Sequence, residues 1–136
     1  GKTSGGRDHL VLSQGAWSCQ RSVRWGDYLY LRTWHDGFHA HWNEEMMFDI
    51  TQDPHEQKDL FSSQPEKVVE GKELLQTWTE EQLDRSYSST DPMEVVLEEG
   101  GPFHVRGHLS SYLERLEKTG RSRWAEILRE RHGVGK

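Results

Sequence analysis

Cysteine is almost missing from this 136-residue chain: Cys19 stands alone, so no disulfide can close within it and the redox compartment stays undetermined. Apolar residues are scarce as well, at 32% of the sequence with a mean hydropathy of -0.93. No apolar run approaches the length that crosses a bilayer, and no membrane partner is expected. Positive charge is the minority sign. Lys and Arg number 17 against 23 Asp and Glu, for a net charge of -6, and the two signs are interleaved. An acidic chain without a basic stripe argues against nucleic acid as a partner. What the chain does have is tryptophan, six in all, each able to bury a large area. Few aliphatics and many large aromatics fit a small domain, and fit equally a piece whose partner covers some of its faces.

The order of elements follows from periodicity and punctuation. Residues 1–7, with GKTSGG at their head, read as a flexible segment. Leu10-Val11-Leu12 makes a first short strand, and a second runs from near Cys19 to Trp25. Gly26-Asp27 is a two-residue hairpin turn, after which Tyr28, Tyr30, Arg32 and Trp34 alternate with Leu29, Leu31 and Thr33. Asp36-Gly37 offers a further turn, and Met46, Phe48 and Ile50 share one face of the last strand. Asp53-Pro54-His55-Glu56 and Asp91-Pro92-Met93-Glu94 both carry the grammar of a helix start: a capping Asp, a proline at the first helical position and a returning Glu. A long helix spans Pro65 to about Leu83, with Val68, Leu75 and Trp78 on one face and Gly71 where close packing on the sheet is expected. A surface loop, a short helix from Pro92 to about Glu98 and a stop at Gly100-Gly101 follow. Two amphipathic helices, carrying Leu109, Tyr112, Leu113 and Leu116, then Trp124, Ile127 and Leu128, are separated by Gly120 and closed by Gly133. The expected fold is α+β: a four-stranded antiparallel sheet packed by one long helix over residues 8–84, followed by a tail of short helices over residues 85–136 that packs on the same domain.

Within this chain, R-x-V-R-x-G-x-Y-L-Y-L from Arg21 and M-F-D-I-T-x-D-P-x-E-x-x-D-L from Met47 resemble the C-terminal subdomain of sulfatases of the alkaline phosphatase superfamily. A glycine-proline-aromatic-histidine segment, Gly101-Pro102-Phe103-His104, followed by a helical hairpin, extends the resemblance into the tail. The resemblance implies a fragment of a sulfuric ester hydrolase whose catalytic core lies N-terminal to Gly1. That core would be the partner of this domain and would hold the family's formylglycine and a calcium-like divalent cation. No cofactor is expected in the chain itself. The family makes its formylglycine within C/S-x-P/A-x-R. Cys19-Gln20-Arg21-Ser22-Val23 departs from that pattern at both diagnostic places, and no serine starts such a run. No catalytic residue is expected here, and Cys19 reads as an inert thiol.

The richest polar cluster is Trp34 to Trp42, with His35, Asp36, His39 and His41. Three histidines at spacings of four and two, with an aspartate, could converge on zinc; the same residues also make an aromatic, polar hairpin tip in which Asp-Gly is turn chemistry. Neither paired cysteines nor H-E-x-x-H frames them, and no metal site is assigned. The resemblance implies a third role, since loops of this subdomain reach the rim of the sulfatase pocket. Substrate-rim contact is accordingly expected from His35, Asp36, His39 and His104. Arg106 accompanies His104 as a second group able to meet an anion, although the same stretch also reads as a helix stop followed by a connector. Glu44-Glu45, Glu80-Glu81 and Glu98-Glu99 are solvated ends of elements.

A competing reading from another class is a free-standing protein- or carbohydrate-binding module that uses the Trp/His-rich hairpin. The two readings differ in one expectation. A severed subdomain exposes a contiguous apolar sheet face and self-associates through it, whereas a module is a monomer with a closed surface.

Overall fold

The computed structural model describes residues 8–133, so the N-terminal segment read as flexible lies outside it. Its elements are β1 (His9–Gln14), β2 (Cys19–Trp25), β3 (Tyr28–His35), β4 (Glu45–Asp49), α1 (Pro65–Arg85), α2 (Pro92–Glu98), a single 3-10 turn (Phe103–Val105), α3 (Leu109–Lys118) and α4 (Ser122–Arg131). The four strands form one antiparallel meander in chain order, and the fold is α+β. Gly26-Asp27 closes the β2–β3 hairpin and sets Trp25 opposite Tyr28, Val23 opposite Tyr30 and Arg21 opposite Arg32. A bulge between Cys19 and Gln20 shifts the far end of that pairing.

The alternation along the strands sorts their residues between two faces. On one, Val23, Trp25, Tyr30 and Met47 pack against Val68 and Leu75 of α1. Gly71 is buried at the centre of this contact. A Cβ there would lie 2.6 Å from Tyr30 Cβ and 2.7 Å from Trp25 Cη2, so only glycine lets the helix come this close. The propensity cost of a mid-helix glycine, about 1 kcal/mol, is outweighed by the packing it permits. Gly71→Ala should therefore destabilise the chain by about 2 kcal/mol and lower its melting temperature by roughly 5–10 °C in a calorimetric scan. An unchanged or raised melting temperature would mean that the helix lifts off the sheet at no cost.

A second core is built from the tail and the loop after β3. Phe38 and Ala40 from that loop join Val105, Leu113, Leu116, Ala125 and Leu128. The α3–α4 hairpin thus buries its apolar stripe against residues 36–42 rather than against the sheet, and Arg129 of α4 pairs with Glu117 of α3.

One expected helix does not form. After Asp53-Pro54 the chain stays in turns until Pro65, and Glu56 has φ +53°. The Asp53 carboxylate accepts from the backbone N–H groups of Gln57 (3.0 Å) and Lys58 (2.8 Å), tying off a local loop. His55, Glu56, Gln57, Lys58 and Asp59 offer no apolar face for a helix to bury. After Asp91-Pro92, by contrast, Met93 is buried and Val96 and Leu97 are half-buried, and there the helix forms with the Asp91 side chain accepting from Met93 N–H (2.9 Å).

Candidate functional site

Residues 36–44, between β3 and β4, carry the histidine cluster, and their shape begins with Asp36. Its carboxylate accepts from Phe38 N–H at 2.8 Å, closing a turn in which Gly37 has φ +60°. Alanine cannot replace Gly37 without rebuilding the loop, because a Cβ would sit 1.9 Å from the Trp17 carbonyl oxygen. Phe38 follows with φ +70°, unusual for a bulky residue; its ring is held in the tail core, stacked on Tyr112 with centroids 5.3 Å apart.

Asp36 and His35 face inward. The Asp36 side chain is 1% exposed and receives Arg131 Nη1 at 2.7 Å and His132 Nε2 at 3.0 Å, while Arg131 Nη2 also donates to the Ala40 carbonyl at 3.2 Å. Burial alone would raise the Asp36 pKa. The bonds from His132, Arg131 and Phe38 N–H outweigh it and hold the carboxyl well below the usual range. His35 accepts from Gly37 N–H through Nδ1 at 3.0 Å, which leaves its proton on Nε2, and its ring lies against the backbone of Gly101. Burial, and behind it the neighbouring His132 (ring centroids 5.0 Å apart), keeps the His35 imidazole below the ordinary histidine pKa. These two residues tie the hairpin to the chain's C-terminal helix and to the glycine pair.

His39 and His104 stand differently. Both line one groove of about 450 Å³, together with Trp17, His108, Tyr112 and Arg115. His104 is exposed, and its Nδ1 lies 3.1 Å from the Ala16 carbonyl, which makes that nitrogen the donor and leaves Nε2 free. Trp17, 65% exposed, meets His104 edge-on at 5.0 Å. His39 packs on Trp42 at 4.4 Å, and burial followed by the charge of His41 lowers its pKa. Among the described residues no three His, Cys, Asp or Glu side chains converge as a metal-ligand group. Of the four residues expected at a substrate rim, the fold therefore brings His39 and His104 together and turns His35 and Asp36 away from them.

No protein-family model and no curated protein matches the chain. The geometry of this groove and of the sheet therefore carries the functional reading.

Trp17, His108 and Arg115 completed the groove without having been marked in the sequence. A usable signal existed: His104, His108, Ser111, Tyr112 and Arg115 recur at spacings of four, three, one and three, which puts them on one side of the segment that runs into α3. The core-forming stripe Leu109, Leu113 and Leu116 is the stronger pattern on the same helix and masks it.

Proposed function

We propose that this chain is the C-terminal subdomain of a sulfatase-like hydrolase, docking through its sheet onto a catalytic core that carries the formylglycine and the divalent cation. The observation that supports this is the second face of the sheet. Leu10 pairs with Arg24, which pairs with Leu29, which pairs with Phe48; in the next row Leu12, Ser22, Leu31 and Met46 stand across from one another. These residues share the face opposite to the one where Val23, Trp25, Tyr30 and Met47 meet α1. Leu10 and Leu12 are 45% and 60% exposed and Leu29 and Leu31 are half-buried. Ser22, Met46 and Phe48 are already buried within the chain, so the open apolar area lies towards the β1 edge of this face. An apolar sheet face of this kind favours a partner that covers it. Leu29, Leu31 and Phe48 also belong to the two sequence runs that resemble the sulfatase subdomain, so the resemblance and the docking face rest on the same strands. The domain buttresses the core, and the loop carrying His39, with the segment carrying His104, shapes the edge of the substrate pocket.

Reading the frame upstream of the Gly1 codon tests the proposal most directly. A long open frame with a C/S-x-P/A-x-R run and metal-binding aspartates is the expected result; a start codon close to Gly1 would end the idea and leave the binding module. In solution, the chain by itself should self-associate at high concentration in sedimentation velocity, and the pair Leu10→Lys with Leu12→Lys should return it to a monomer. A wild-type chain that stays monomeric at millimolar concentration contradicts the docking face. Sulfate-ester hydrolysis by the isolated chain should be undetectable.

A further inference from the structure

The groove beside α3 has a chemistry that sets it apart in an acidic molecule. No carboxylate lines it among the described residues, while His39, His104, His108 and Arg115 all do. Arg115 enters no ion pair among the described residues, in contrast to Arg106, Arg129 and Arg131 of the same helical region, which are held by Glu99, Glu117 and Asp36. The groove also receives the first turn of α3, which has no side-chain cap at His108, so the positive end of the helix dipole adds to the same field. The potential there favours an anion.

Size and the exposed indole narrow the ligand. About 450 Å³ is far more than one inorganic anion fills and falls within the range of small-molecule sites. Trp17, 65% exposed at the groove's edge, offers a flat apolar surface beside the Arg115 guanidinium and the imidazoles. An indole face suits the apolar face of a sugar ring, and the neighbouring guanidinium and imidazoles suit a charged substituent on it. A nucleic-acid strand is disfavoured by the net charge of -6 and by the small extent of the basic patch.

We propose that this groove binds an anionic saccharide, with its sulfate or carboxylate group on Arg115 and the imidazoles and one ring face on Trp17. The inference deepens the substrate-edge role proposed above and rests on that reading for its setting, but the contacts are all within this chain. Titration of the 136-residue chain with a heparin-derived hexasaccharide, with hexagalacturonate and with uncharged maltohexaose, followed by calorimetry, tests it. At least one anionic hexasaccharide should bind and maltohexaose should not. Because the heparin fragment carries both carboxylates and sulfates, binding of it alone shows that sulfate is required, and binding of hexagalacturonate shows that a carboxylate suffices. Arg115→Ala should weaken binding about tenfold, the size expected of one charge-assisted contact. Trp17→Ala should weaken it about fivefold. Neither side chain supports the core, so both variants should fold. Absence of binding by both anionic probes, equal binding of maltohexaose, or an Arg115→Ala variant that binds like wild type would each overturn the proposal. Leu12→Ser, on the sheet face, separates the two ideas. If it abolishes self-association while no saccharide binds, the groove ligand is lost and docking stands; saccharide binding by a chain that never self-associates removes docking and keeps the groove.

Discussion

Asp36→Ala should cost the chain about 3 kcal/mol of stability and free the end of α4 from the hairpin loop. The carboxylate is buried and accepts from three donors: Phe38 N–H in its own turn, and Arg131 and His132 from the far end of the sequence. Its removal strands all three at once. Arg131 is 32% exposed on its side chain, so water recovers part of its charge, which keeps the cost at the low end for a broken buried pair. Asp36→Asn retains an acceptor for Phe38 N–H but loses the charge and should fall between alanine and wild type. Urea unfolding with an unchanged slope and a shifted midpoint reads the effect, and hydrogen exchange should show α4 opening first. A midpoint within error of wild type would mean that the tail core holds α4 without the tie.

The same site shapes the pH dependence. The folded His35 imidazole has a lowered pKa, so as the pH falls through 6.5 the unfolded chain takes up a proton that the folded one refuses, and stability declines. Asp36 is a depressed carboxyl. Its contribution is fully present above 3.8, the ordinary value for aspartate, and is lost as the pH falls from there towards its folded pKa. Glu45, Asp49, Asp53 and Asp91 are shifted in the same direction, so Asp36→Ala should make the acid limb shallower by one proton without abolishing it.

The local rules of the chain were legible wherever the residues that decide a structure sit beside one another. Tyr28 to Trp34 alternate, Gly26-Asp27 supplies the turn, and the β2–β3 hairpin follows from both. Pro65 and Pro92 open helices, and Gly120 separates the last two. The two D-P-x-E runs show the limit of such rules. Their caps are alike, and only the apolar residues downstream of Asp91 give a helix something to bury, whereas Asp53 is followed by polar residues and closes a loop. The histidine cluster was legible as a place but not as a geometry. Which of His35, His39 and His104 would share a surface depended on Asp36 being captured by Arg131 and His132, 95 and 96 positions away in the chain. No spacing within residues 34–42 contains that information, and neither does any property of Arg115 taken alone.

The second large effect is expected where α2 is anchored to the sheet. Arg21 and Asp91 form a two-pronged ion pair at 2.8 and 2.9 Å, with side chains only 8% and 12% exposed. Arg21 also donates to Ser13 at 2.8 Å, and its guanidinium lies 5.8 and 5.5 Å from the ring centroids of Trp34 and Trp78. Bonds from Arg21, above all, hold the Asp91 carboxyl below its ordinary pKa in spite of burial. Asp91→Ser keeps a cap for Met93 N–H but leaves a buried, unpaired guanidinium, and should cost about 3–4 kcal/mol. Asp91→Ala should cost about 1 kcal/mol more, the share of the cap. Pairing Asp91→Ser with Arg21→Met removes both charges and should recover most of the loss, because a buried pair replaced by apolar atoms is close to neutral while a broken one is not. If Asp91→Ser alone costs less than about 1 kcal/mol, water reaches Arg21 and the pair is no anchor. The consequence extends to the groove. Gly100, Gly101, Pro102 and the segment bearing His104 continue directly from α2, so a loosened α2 should also weaken binding of the anionic hexasaccharides, whereas the double variant should restore it along with stability.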